Sequence, residues 1–162
     1  MRKNLLGGWR AVFLVCSASM AFAGVAYATT LTSTSGARCT GINGGSLSSR
    51  TDGETENNSA ATVTAICPLE RNTSASTVSG DVFVLDQSTA ANVCCHLVSK
   101  YPGATRIDGT QVCSTGSSTT RQQLTLPSIT DAATFSDFFV QCTVPPINGA
   151  AASRIQVYRT TQ

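Results

Sequence analysis

The chain has 162 residues, with 11 Lys and Arg against 9 Asp and Glu; only 12% of it is charged and 6% aromatic. Beyond residue 28 its cations are scattered singly, so no run there neutralises several phosphates along one face, which argues against a nucleic-acid partner. Residues 29–162 suffice for one domain with a real core.

The first element is a leader. Arg2 and Lys3 precede an apolar stretch from Ala11 to Ala26, which closes on Ala26-Tyr27-Ala28. Small residues three and one positions before a cut fit a signal peptidase, so residues 1–28 read as a cleaved signal peptide. Ala21-Phe22-Ala23 offers an earlier cut. A membrane anchor needs about 20 apolar residues, and this run is shorter and broken by Cys16, Ser17, Ser19 and Gly24. The expected location is therefore secreted or periplasmic, with no membrane attachment after cleavage. Arg2, Lys3 and Arg10 leave with the leader, so 8 basic residues face 9 acidic ones and the mature chain is near neutral. It carries 23 Thr and 17 Ser, which favours half-exposed strands and turns.

The next segments are polar. Residues 29–38 carry one large apolar side chain, Leu31, and residues 41–58, rich in Gly, Ser, Thr and acidic residues, form the most disorder-prone stretch. Within it, Asp52, Glu54 and Glu56 alternate. They could gather oxygens around calcium, although their spacing matches no known loop.

Beyond this the periodicity is two, as in strands. Val63, Ala65 and Cys67 alternate with Thr62, Thr64 and Ile66. Val82-Phe83-Val84-Leu85 is apolar on both faces, as in a strand covered on both sides. Val93, Cys95 and Leu97 alternate with Cys94, His96 and Val98. Leu124 and Leu126 flank Thr125, and Phe138, Val140, Cys142 and Val144 flank Phe139, Gln141 and Thr143. Asp131–Phe135 has room for one helical turn, and Ile155 and Val157 close the pattern. Breakers such as Asp52-Gly53, Pro102-Gly103 and Asn148-Gly149 separate the runs. The expected fold is all-β, an antiparallel two-sheet sandwich of about seven or eight short strands stapled by disulfides. Phe83, Phe135, Phe138 and Phe139 are assigned to its core.

Cleavage leaves Cys39, Cys67, Cys94, Cys95, Cys113 and Cys142, an even set consistent with three disulfides in an oxidising compartment. Cys94 and Cys113 are equidistant from a midpoint between Gly103 and Ala104, so a hairpin about that turn sets them opposite each other. Neighbours on a strand point to opposite faces, so Cys95 joins the core face and Cys94 closes the hairpin from outside. Three pairings of Cys39, Cys67, Cys95 and Cys142 stay open.

Catalytic and cofactor roles find little footing. Cys94-Cys95-His96 alternates faces and does not converge on one tetrahedral ion. His96, the sole histidine, reads as an exposed strand residue. No Gly-x-Ser-x-Gly elbow occurs. Once Trp9 leaves with the leader, Tyr101 and Tyr158 are the remaining Trp or Tyr residues, few platforms for a sugar face. No enzyme activity, metal or cofactor is expected.

Ile66-Cys67-Pro68-Leu69, Val82-Phe83-Val84-Leu85-Asp86 and Val93-Cys94-Cys95-His96-Leu97, with Cys142-Thr143-Val144-Pro145-Pro146 and Ser153-Arg154-Ile155-x-x-Tyr158, resemble a loose group of small exported proteins of Gram-negative bacteria. The group has no assigned activity. The resemblance implies export and a disulfide-bonded β-sandwich, with the Cys94–Cys113 pair an addition to a simpler pattern. The expected role is a non-enzymatic structural or surface-interaction module with a protein or cell-surface partner. The alternative is a subunit of a chaperone-assembled fimbria or coat, for which residues 29–38 make a poor donor strand.

Overall fold

The computed structural model describes residues 29–72, 75–103 and 106–162, so the expected leader lies outside the described residues. The described residues form an all-β sandwich of two antiparallel sheets. There are twelve strands: β1 Leu31–Ser35, β2 Thr40–Ile42, β3 Ser48–Ser49, β4 Thr55–Glu56, β5 Val63–Pro68, β6 Thr77–Leu85, β7 Cys94–Lys100, β8 Arg106–Asp108, β9 Val112–Cys113, β10 Gln122–Thr130, β11 Asp137–Val144 and β12 Arg154–Thr161. Seven of them run five residues or more. The surplus over the seven or eight expected comes from pieces of two or three residues with too little pattern to read.

The first sheet runs β10-β6-β12-β4-β3, with β1 also paired to β12; the second runs β2-β5-β11-β7-β8, with β9 also paired to β7. The two inner faces share one core containing Ala65, Val82, Val84, Val93, Leu97, Leu124, Phe138 and Val140. These are the alternate positions of the period-two runs, and burying them drives the sheets together at about 25 cal/mol per Å² of apolar surface.

Several expectations need correction. Val157 does not continue the inward pattern: a register shift between Ile155 and Val157 turns it to the outer face. Tyr158 takes the inward place, buried, and its hydroxyl donates to the Pro68 carbonyl of the opposite sheet at 2.7 Å. Burial pushes that phenol up to about 12. Phe135 is not core but 74% exposed, because residues 131–136 form a turn and no helical turn. Among the described residues no further layer covers Phe83 and Leu85, which are half-buried. Phe83 is capped by two guanidinium groups, Arg121 at 5.1 Å and Arg159 at 4.7 Å from its ring centre. Residues 41–58 are ordered by β2, β3 and β4 and by ion pairs.

A buried carboxylate organises one end of the sandwich. Asp86, fully buried after β6, accepts hydrogen bonds from the Ser88 amide (3.1 Å), the Ser153 hydroxyl (3.0 Å), the Val93 amide (3.2 Å) and the Ser114 hydroxyl. Four donors compensate the charge that burial strips of water. Asn57, also fully buried, donates its amide to the Ala61, Val144 and Pro145 carbonyls. At the crossing from β1 to β2, Gly36 is buried so tightly that a Cβ there would collide with the Ile155 carbonyl oxygen.

The three disulfides are Cys39–Cys67, Cys94–Cys113 and Cys95–Cys142. Cys94 stands opposite Cys113 and Cys95 opposite Cys142 in the strand registers. Cys39 immediately precedes the Thr40↔Ile66 pair and so faces Cys67. Among the described residues every bridge therefore ties adjacent positions of the second sheet, Cys39 standing one residue before β2, and none crosses to the first. Cys95 is buried with Val93 and Leu97, while Cys94 is half-buried and Cys113 exposed on the outer side.

Candidate functional site

The two sheets present different outer faces. On the first, charges are matched in pairs. Arg159 meets Asp81 at 3.0 Å, and Asp81 also accepts from Gln123 and Thr125, each at 2.8 Å. Burial opposes ionisation of Asp81, but these bonds and the Arg159 charge outweigh it and hold the carboxyl below its ordinary range.

Asp52, Glu54 and Glu56 sit at the β3–β4 end, turned toward guanidinium groups. Arg50 reaches Asp52 at 3.1 Å and Glu56 at 3.0 Å, and Arg154 reaches Glu56 at 3.1 Å and Glu54 at 3.5 Å. Burial works against the Glu56 charge, yet hydrogen bonds from Asn58 and Arg50 and the two arginine charges lower its pKa. These carboxylates answer arginines where the sequence suggested a cation. Among the described residues, no group of three or more His, Cys, Asp and Glu is placed to hold a metal ion.

The outer face of the second sheet is half apolar. Register places Thr40, Ile66, Gln141 and His96 in one row across β2, β5, β11 and β7. A row on one side holds Ile42, Thr64, Thr143, Cys94 and Cys113, and a row on the other Pro68, Phe139, Val98 and Asp108. Five strands side by side span about 19 Å. Ile42, Thr64, Ile66, Phe139, Gln141 and Thr143 are all half-buried. The sequence assigned Phe139 to the core; it faces outward instead, which its parity opposite Phe138 already implied. The signal for this face was the apolar character of Ile66 and Phe139 at alternate positions where a solvated sheet would carry polar residues.

His96 is not exposed as expected: its side chain is 14% accessible. Its Nε2 lies 3.3 Å from Asp108 Oδ1 and 3.3 Å from an Arg106 guanidinium nitrogen. That guanidinium also donates to Gln141 at 2.8 Å and to Asp108 at 2.6 Å, and lies 5.8 Å from the Phe139 ring centre. The Arg106 hydrogen bond, ahead of its charge and that of His96, holds the Asp108 carboxyl below its usual range. Arg106 thus reaches from edge strand β8 across the face and roofs the histidine. No period-two pattern on β7 signals this.

The described surface also carries small clefts. One of about 250 Å³ is lined by Thr30, Thr32, Glu70, Arg71, Asn72 and Gln162, and one of about 200 Å³ by Ser46, Ser48, Asn58 and Ser59.

No protein-family model matches the chain, and no curated protein matches it in sequence. Solved structures similar in fold include a family two carbohydrate esterase from Cellvibrio japonicus, at 6% identity and TM-score 0.46 over 83% of this chain. This chain spans 34% of that esterase's length. Another is the CBM36-1 domain of a multidomain xylanase from the hindgut metagenome of Trinervitermes trinervoides, at 12% identity and TM-score 0.49, covering 82% of this chain and 97% of that domain. At these identities neither likeness bears on what this chain binds.

Proposed function

We propose that this chain is an exported, non-enzymatic interaction module that engages a protein or cell-surface partner through the outer face of the second sheet. One observation carries the reading. All three disulfides tie adjacent positions of that sheet, and among the described residues no further sheet covers its half-apolar outer face, where Ile42, Thr64, Ile66, Phe139, Gln141 and Thr143 stay partly exposed while Val98 is buried and Arg106 covers His96. A surface already rigid when free loses little conformational freedom on binding, so its apolar contacts translate into affinity. Arg106 and Asp108 at the β8 edge, with Gln141 at the centre of the face, supply direction.

Two features support a role without catalysis. All six cysteines of residues 29–162 are in bridges, which removes the thiol as a nucleophile. The His96 Nε2 is engaged by Arg106 and Asp108, and among the described residues no hydroxyl hydrogen-bonds to it. The fimbrial alternative draws less support, because β1 is already paired in its own chain with β12 along Leu31↔Thr161 to Ser35↔Val157.

Photo-crosslinking tests the proposal. A benzophenone amino acid at Thr64 or Thr143 on the proposed face should give discrete adducts with envelope or medium components of the producing cells. The same group at Ser33, on the outer face of the first sheet, should give none. Ile66→Glu with Phe139→Glu should abolish the adducts while circular dichroism is unchanged. Adducts from Ser33 alone, or from neither face, would overturn the assignment.

A further inference from the structure

We propose that the Cys94–Cys113 bridge is a redox-addressable site, opened by a dithiol and closed by a disulfide oxidant while the sandwich stays folded. The inference is independent of which ligand the face binds.

Access comes first. Thiol–disulfide exchange requires a thiolate to reach a sulfur along the S–S axis. Cys39, Cys67, Cys95 and Cys142 are 3%, 0%, 0% and 0% accessible, so their bridges are reached only by opening the core. Cys113 is exposed and Cys94 half-buried, on the outer side of the sheet. Of two bridges that meet on one strand through adjacent residues, one faces the core and the other faces solvent.

Retention is the second, independent observation. Opening the bridge does not release β9, because the next residue is held separately. The Ser114 amide donates to the Val93 carbonyl at 2.9 Å, and the Ser114 hydroxyl accepts from the Val93 amide at 2.9 Å and donates to the buried Asp86. On the other side, Cys94 is fixed by its pairing with Thr143 and by the adjacent Cys95–Cys142 bridge. Both thiols therefore stay near the 4.0 Å Cα separation of the closed form, and closure remains an intramolecular reaction between positioned groups.

The chemistry balances as follows. One thiolate of the dithiol attacks Cys113 Sγ; the S–S bond breaks, and its electron pair leaves on Cys94 Sγ, which takes a proton from water. The second thiolate attacks the dithiol's own sulfur in the mixed disulfide and expels Cys113, which is protonated in turn. The dithiol departs as a cyclic disulfide, having passed two electrons to the bridge. Oxidised glutathione closes the bridge: the Cys113 thiolate attacks one of its sulfurs and releases one glutathione thiol, and the Cys94 thiolate then attacks Cys113 Sγ in the mixed disulfide and releases the second, so the two electrons pass to glutathione.

Graded dithiothreitol, followed by iodoacetamide and peptide mapping, tests the site on the intact folded chain. The expected first product carries two alkyl groups, on Cys94 and Cys113 alone, with near-ultraviolet circular dichroism retained. Oxidised glutathione added before the alkylation should restore the unmodified mass. In the double variant C94S/C113S this first product should be missing, and the other four cysteines should become alkylated only at the same higher dithiol concentration as in the parent. Alkylation of Cys39, Cys67, Cys95 or Cys142 at or before that step would overturn the proposal. So would loss of the native signal in step with the first two thiols, or a lower threshold for the remaining bridges in the variant.

Discussion

Asp86 shows how much a single residue holds here. Its two carboxylate oxygens receive four hydrogen bonds from the β6–β7 connection, from Ser114 beyond β9 and from Ser153 before β12. Asp86→Asn turns one oxygen into a donor that faces donors. A buried unsatisfied group costs about 1–3 kcal/mol, so the variant should melt clearly below the parent. An unchanged melting temperature would mean the network tolerates an amide. Gly36→Ala probes close approach instead. The new Cβ would press on the Ile155 and Gln156 carbonyls, backbone atoms that cannot rotate away. Overpacking of this kind costs about 1–3 kcal/mol, read as a lower denaturant midpoint.

Acid stability belongs to the same scale. Glu56, Asp81, Asp108 and Asp131 all titrate below their ordinary values; for Asp108 and Asp131 hydrogen bonds, from Arg106 and Ser99 respectively, lead the causes. In Glu56 and Asp81 burial opposes the shift and is outweighed. A lowered folded pKa means that below the ordinary carboxylate range, about 4, the unfolded chain binds more protons than the folded one. The contribution is present above that range and is lost as pH falls through the lowered values. The melting temperature should therefore decline from about pH 4 downward. A flat profile down to pH 2 would show that these ion pairs contribute nothing.

Elements were readable where their pattern was local. Phe138, Val140, Cys142 and Val144 alternate without a break, and β11 follows them residue for residue as a central strand. The pairing of Cys94 with Cys113 was readable to within one residue: the β7–β8 register would set Val112 opposite Cys94, and one extra residue between Asp108 and Val112 brings Cys113 there instead. What failed was non-local. The shift at Ile155/Val157 follows from β12 changing partners, from β4 at one end to β1 at the other, and no residue of β12 announces it. The partners of Glu54 and Glu56 include Arg154, about a hundred positions away, so the acidic run could not be read as half of an ion-pair cluster. His96 looked exposed because its cover, Arg106, belongs to another strand.

At this scale the hairpin bridge also has a measurable weight. Its cysteines are 19 residues apart, and a loop of that size should contribute roughly 3 kcal/mol through the unfolded state. The double change to serine should lower the melting temperature while leaving the native circular dichroism intact. A variant that fails to fold would show that the Ser114–Asp86 network cannot hold β9 alone.

Over the whole molecule, covalent ties are distributed unevenly. The second sheet carries all three bridges, and the first depends on strand pairing, packing and ion pairs. The sheets should therefore differ in dynamics, because cross-links suppress local opening where they lie. Amide exchange should be slower in β5, β7 and β11 than in β6 and β12, although all five occupy inner positions in their sheets. Equal protection would mean that the bridges add nothing to the rigidity of the proposed face.

That face, its rigidity and the redox site all depend on which cysteines are joined. Non-reducing peptide mapping of the folded protein, with electron-transfer fragmentation to separate Cys94 from Cys95, decides it. The account predicts Cys39–Cys67, Cys94–Cys113 and Cys95–Cys142 and no free thiol. A bridge from Cys39 or Cys67 to any of Cys94, Cys95, Cys113 or Cys142, or a Cys95–Cys113 link, would contradict it.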